Sequence, residues 1–100
     1  MANTQRALPW QLSLLDVYGS EMEVAAERND IVGLKAITTL LRDAWASLRP
    51  QMAIHDGIEE RTAFDMLVSQ LTNASTAQEF AGLAREVRRS VNEIEGLWAP

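Results

Sequence analysis

Two apolar ladders with the same spacing constrain this chain more than any other feature. Leu34, Ile37, Leu41, Trp45 and Leu48 step by 3, 4, 4 and 3, and Phe80, Leu83, Val87, Val91 and Ile94 repeat that series. Steps of three and four return a side chain to one face of a helix, whereas a half-buried strand needs a period of two. The sequence holds no sustained alternation and no Asn-Gly or Asp-Gly hairpin dipeptide, so strands have no local support.

The punctuation between the ladders divides the chain into four helices. Pro9 suits a first helical turn and opens a helix over about 9–28, with Leu12, Leu15, Tyr18, Met22 and Ala25 on one face. Gly19 inside it costs about 1 kcal/mol relative to Ala, which points to a close helix crossing or a mild bend. Asp30 is a good N-cap for a second helix over 31–48. Arg49 precedes Pro50, and the residue before a proline is pushed out of the α region, so that helix stops or kinks there.

Asp56 with Glu59 fits a capping box for a third helix over 57–72, carrying Ile58, Phe64, Leu67, Val68 and Leu71. Ser75 with Gln78, or Thr76 with Glu79, opens a fourth over 76–95, and Gly96 is a natural C′ residue after it. The connection over 49–56 is the longest and has room for a short extra turn. One hundred residues support one domain. The expected fold is all-α, a single domain over 1–100 arranged as an antiparallel up-down four-helix bundle, with 1–8 a frayed leader. A kinked three-helix arrangement is the alternative.

Composition excludes several chemistries. There is no Cys and one His, and the net charge is −5. Disulfides, thiolate catalysis and Cys-bound zinc are therefore out, and an acidic chain disfavours nucleic acid. His55 stands beside Asp56, but Met52 lies three residues before it and no second His exists, so the Glu-x-x-His and His-Glu-x-x-His metal patterns fail. No nucleophile motif accompanies the pair. It reads as a helix corner, and no catalytic, metal or cofactor residue is assigned.

Glu59 and Glu60 are adjacent, point about 100° apart on a helix, and read as a solvated face with a favourable first-turn dipole effect. Arg85, Arg88 and Arg89 are expected to meet acids of the first or third helix, with Glu93 partly offsetting Arg89. Asn73-Ala74-Ser75 matches a glycosylation acceptor but reads as a turn. Gln11, Ser13 and Asp16 break the apolar run near the start, which is not a secretion-signal pattern. No run approaches the 18 apolar residues a membrane span needs. A cytoplasmic protein is expected.

The run over 25–48 resembles small flagellar type III export chaperones: a helix, a short polar break, an Asp cap, and a helix with Leu and Arg at heptad spacing. Asp30, Leu34, Leu41 and Arg42 stand at those positions. The resemblance covers about a quarter of the chain. It implies a helical protein that shields an apolar helix of a partner in a groove, and it transfers no individual functional residue.

An up-down topology would bring Trp10, Trp45, the 52–56 corner and Trp98 to one end. The indoles would either cap the core, each N–H reaching a turn carbonyl, or form part of an exposed partner-binding patch. The second helix also carries Ile31, Val32, Leu40, Ala44 and Ala46 beside its ladder, more apolar surface than one seam requires. The leading expectation is a non-enzymatic protein-binding module, whether adaptor, chaperone or regulatory subunit, with Trp10, Leu40, Trp45, Met52, Ile54 and Trp98 as candidate partner-binding residues. A self-associating subunit paired through the second helix is the alternative; an enzyme or metal protein is the third reading.

Overall fold

The computed structural model describes residues 8–98. Among them the chain is all-helical: α1 (Trp10–Glu27), α2 (Ile31–Leu48), α3 (Gln51–Ile54), α4 (Ile58–Asn73), α5 (Ala77–Glu95) and a closing 3-10 turn (Gly96–Trp98). No strand occurs among the described residues. The four expected helices are present within one or two residues of their expected ends, and α3 is the extra turn. Apart from Leu8, the expected leader lies outside the described residues.

The ladders form the core. Leu34, Leu41, Trp45 and Leu48 of α2 are buried, as are Phe80, Val87, Val91 and Ile94 of α5. Leu12, Leu15 and Met22 of α1 and Phe64 and Leu71 of α4 complete it. Helix α1 packs most extensively on α5 and then on α2; α4 packs on α5 and, more sparsely, on α2. The body measures 49 × 26 × 18 Å. An 18-residue helix is about 27 Å long, so the elements are offset along the long axis.

Gly19 marks a close helix crossing, one of the two expected outcomes. A Cβ there would stand 2.8 Å from Cγ of Arg88 and 3.4 Å from Cγ1 of Val87. The missing side chain lets α1 and α5 approach, and α1 remains one continuous helix through it.

The helix ends depart from expectation in three places. Asp56 does not cap α4. Gly57 holds that position without a side-chain bond, and Asp56 lies in the left-handed region at φ 60°. There it closes α3: its N–H donates to the carbonyl of Ala53 at 3.2 Å, and the N–H of Gly57 to that of Met52 at 2.7 Å. That bonding pattern is a Schellman motif with Asp at C′. Asn29, at φ 54°, closes α1 the same way, with Asp30 N–H donating to Ala25 at 2.9 Å. Short polar side chains tolerate this conformation best after Gly.

Gly96, the expected C′ residue, instead continues in the right-handed region at φ −61°, because the chain runs on into the 3-10 turn. Arg49 also stays right-handed, at φ −49° and ψ −42°, despite the following proline. Helix α2 therefore stops at Pro50 because that residue has no N–H to continue the ladder.

Two caps match expectation. Oδ1 of Asp30 accepts from the N–H of Gly33 at 2.9 Å. Thr76 and Glu79 form the reciprocal capping box of α5, and bonds from the N–H groups of Ser75 and Thr76 hold the Glu79 carboxyl below its ordinary range.

Candidate protein-docking surface

Of the six candidate partner-binding residues, the structure buries three. Trp45 is buried against Phe64, with ring centroids 4.4 Å apart. Its Nε1–H donates to Oδ1 of Asp65 at 2.8 Å, a carboxylate on α4 and not the expected turn carbonyl. Arg49 completes that arrangement, its Nε and Nη2 donating to Asp65 at 2.9 and 2.8 Å. The guanidinium bonds, with the indole N–H in support, hold the Asp65 carboxyl below the usual range against its partial desolvation. Trp98 is buried by stacking on His55, with centroids 4.1 Å apart. Met52 is fully buried beneath the corner.

These three serve the fold: Trp45 packs between α2 and α4, while Trp98 and Met52 pack at the corner around His55. The close approach of the C-terminal turn shows in Gly57, where a Cβ would run into Leu97 and the carbonyl of Met52. His55, stacked on Trp98, packs the corner. Among the described residues no three His, Asp or Glu side chains stand close enough to hold a metal ion.

The other three candidates are exposed: Trp10 by 63%, Leu40 by 49% and Ile54 by 78%. Trp10 belongs to a second row on α1. Trp10, Leu14, Val17, Glu21, Val24 and Arg28 follow one another by 4, 3, 4, 3 and 4 residues, so they share a flank away from the buried ladder. Trp10, Val17, Glu21, Val24 and Arg28 are exposed and Leu14 is half-buried. Leu14, Val17 and Val24 were absent from the sequence expectation, although their spacing was readable there. The buried row at Leu12, Leu15 and Met22 satisfied the helical pattern first.

Leu40 lies on the neighbouring side of α2. Ser47, two turns further along the same flank, accepts from Nε2 of Gln11 on α1 at 2.9 Å. Val32 and Ala36 precede Leu40 at four-residue steps and are exposed. Between the two helices runs an open groove of about 350 Å³, lined by Val24, Ala25 and Ile37 with Ser20, Glu21, Arg28 and Asp30 at its margin. Its walls are mostly hydrocarbon, the chemistry of a protein-docking groove. A larger hollow of about 530 Å³ between α4 and α5 combines Ala74, Gly82 and Leu83 with polar residues such as Gln70, Asn73 and Glu79, and most of its wall is also hydrocarbon.

Of the three arginines of α5, Arg88 and Arg89 take partners on the protein's own surface, and among the described residues Arg85 pairs with no acid of α1 or α4. Arg88 reaches Glu23 at 3.2 Å and Asp16 at 3.8 Å, both on α1, as expected. Arg89 pairs with Glu86 at 3.8 Å, one turn back along the helix, and not with Glu93 as expected. Among the described residues no helix is long and apolar enough to cross a membrane.

Comparison of the chain with family models, with curated proteins and with solved structures finds no match.

Proposed function

We propose that this chain is a non-enzymatic helical protein-binding module that buries an apolar partner surface on the outer face of α1 and α2. The observation that carries this reading is the row Trp10, Leu14, Val17 and Val24 on the outer flank of α1, interrupted by Glu21, with Leu14 half-buried against the core, together with exposed Leu40 on α2. Exposed apolar side chains of this kind cost solvation in an isolated chain, and they offer aromatic and aliphatic anchors of the sort found at interfaces. The proposed arrangement behind it is an antiparallel up-down four-helix bundle. It is supported by the contacts Gln11 to Ser47, Trp45 to Asp65 and Arg88 to Glu23.

The resemblance to flagellar export chaperones supports the same reading. Asp30 caps α2, while Leu34 and Leu41 are buried and Arg42 is exposed. The proposed setting is the cytoplasm, and the net charge of −5 disfavours attraction to an anionic lipid surface.

The test is capture from native lysate by the full chain and by its Val17→Glu and Val24→Glu variants. A single stoichiometric partner held by the native chain and lost by both variants is expected. Equal capture by all three chains removes the α1 row from the proposal.

A further inference from the structure

The charges of this chain are unevenly placed. Helices α1 and α5 hold eight of its fourteen acids, and the flank of α2 that faces α4 carries the opposite sign. Lys35, Arg42 and Arg49 follow one another at seven-residue steps, so they form one row with about 10.5 Å between positions. Arg49 binds Asp65 of α4, and Thr72 of α4 lies beside Lys35 and Arg42, which fixes the side of α2 that the row occupies. Asp43 is turned about 100° away from Arg42 around the helix. Arg61 stands one turn before Asp65 and helps to hold its carboxyl down. The Nε of Arg61 is buried with no acceptor among the described residues. Four cations thus share the α2–α4 seam with the carboxylate of Asp65.

We propose that this seam is a second docking surface, and that its occupant is an acidic amphipathic helix of a partner protein with carboxylates at seven-residue spacing. It lies on the other side of α2 from the apolar groove at Ile37 and does not depend on that groove.

The free donors of the seam select the chemistry. A hollow of about 220 Å³ lies between Lys35, Thr38, Thr39 and Arg42 of α2 and Leu71 and Thr72 of α4. The three threonine hydroxyls donate to carbonyls of their own helices, at Leu34, Lys35 and Val68. The donors left are the ammonium of Lys35 and the guanidinium of Arg42, and among the described residues neither forms an ion pair. No acid among the described residues lines the hollow. A charged acceptor fits there, and a carboxylate matches the guanidinium fork.

The spacing selects a helix. A helix with Glu or Asp at every seventh residue repeats at the same interval of about 10.5 Å, and charge pairing at heptad spacing is how helices choose partners. A nucleic-acid strand sets a phosphate at about every 3.4 Å of axis, roughly three for each cation of the row. Ala46, exposed between Arg42 and Arg49, and the stems of the cations give the partner helix hydrocarbon to cover.

The field of the whole chain selects a short occupant. A long polyanion or an anionic lipid surface also meets the acidic faces, and the net charge of −5 repels it. A short helix feels mainly the cations beneath it, because charges beyond about 8 Å are screened at physiological salt.

Fluorescence anisotropy of labelled synthetic peptides with the full-length chain tests the proposal. The probes are Ala- and Leu-based helices about three heptads long. One has Glu at every seventh position, one has Lys there, and one has the same Glu content at five-residue steps. The heptad Glu peptide should bind saturably, weaken as salt rises, and bind about tenfold or more tightly than the other two. Lys35→Glu and Arg42→Glu should each weaken it by about tenfold, with circular dichroism melts close to the native one, since neither breaks an ion pair of the described residues. Arg85→Glu makes the same charge change on α5, away from the seam, and should alter binding by less than about twofold. Absence of binding, equal binding of either control peptide, or an equal effect of Arg85→Glu overturns the seam as a docking surface. Tighter binding of a single-stranded oligonucleotide or of phosphatidylserine vesicles overturns the helical occupant. Val17→Glu should bind the peptide as the native chain does, so failure here and failure of the α1–α2 reading are told apart.

Discussion

The indole of Trp45 donates to the carboxylate of Asp65 at 2.8 Å, and that carboxylate also receives two bonds from Arg49. One buried aromatic on α2 is thus joined to one acid on α4 at the place where α2 ends. Trp45→Ala should cost about 3–5 kcal/mol, the range for emptying a buried aromatic site. Trp45→Phe keeps most of the packing on Phe64 and loses the hydrogen bond, a cost of about 1 kcal/mol. Urea unfolding followed by circular dichroism separates the two. A Trp45→Ala chain as stable as the native one would place this indole outside the core.

Asp65 also predicts a pH dependence. Its carboxyl is held below the ordinary range by Arg49 and Trp45, and an unfolded Asp titrates at about 3.9. The folded chain therefore binds this proton less readily than the unfolded one. The stabilisation is complete above about pH 4 and is lost as pH falls through the depressed folded value. Asp65→Asn should be less stable than the native chain at neutral pH, and the gap should narrow in acid. Urea midpoints for both chains across that window read the effect, and a constant gap would show that the carboxylate charge is not its source.

Two glycines should respond in opposite directions. At Gly82 an added Cβ meets nothing within 4 Å, and the residue lies inside α5. Gly82→Ala should stabilise by roughly 0.4–1 kcal/mol through helix propensity and a less free unfolded chain. At Gly19 a side chain meets Arg88 and Val87. Gly19→Leu should force α1 and α5 apart and cost about 1–3 kcal/mol. Thermal melts of the pair are the measurement.

The capping box of α5 can be removed at one atom. Oγ1 of Thr76 accepts from the N–H of Glu79 at 3.1 Å. Thr76→Ala should destabilise by about 1 kcal/mol, with Thr76→Ser close to neutral. Ser75→Ala tests the alternative cap of the sequence reading and should cost less, since Glu79 keeps its bonds to the N–H groups of Ser75 and Thr76.

Much of the helical frame was legible before any coordinates. The ladders of α2 and α5, the caps at Asp30 and Thr76, the break at Pro50 and the close crossing at Gly19 all rest on local chemistry: side-chain period, a missing N–H, a missing Cβ. Asp56 and Gly96 were misread for one shared reason. Each type is acceptable at either end of a helix, and the choice depends on where the chain goes next. Asp56 turns left-handed because α3 must close before α4 begins, and Gly96 stays right-handed because the C-terminal turn runs on to seat Trp98 over His55.

The sequence by itself determined that this chain is helical, where most helices begin and end, and that metal sites built from Cys or several His are closed to it. Those properties follow from neighbours within about one turn. Only the tertiary structure decided which apolar residues are covered. Trp10, Trp45 and Trp98 look alike in the sequence, yet two are buried and one is 63% exposed. Burial depends on what the other helices place opposite each residue: Phe64 and Asp65 face Trp45, His55 faces Trp98, and Trp10 stands at the head of the outer row of α1.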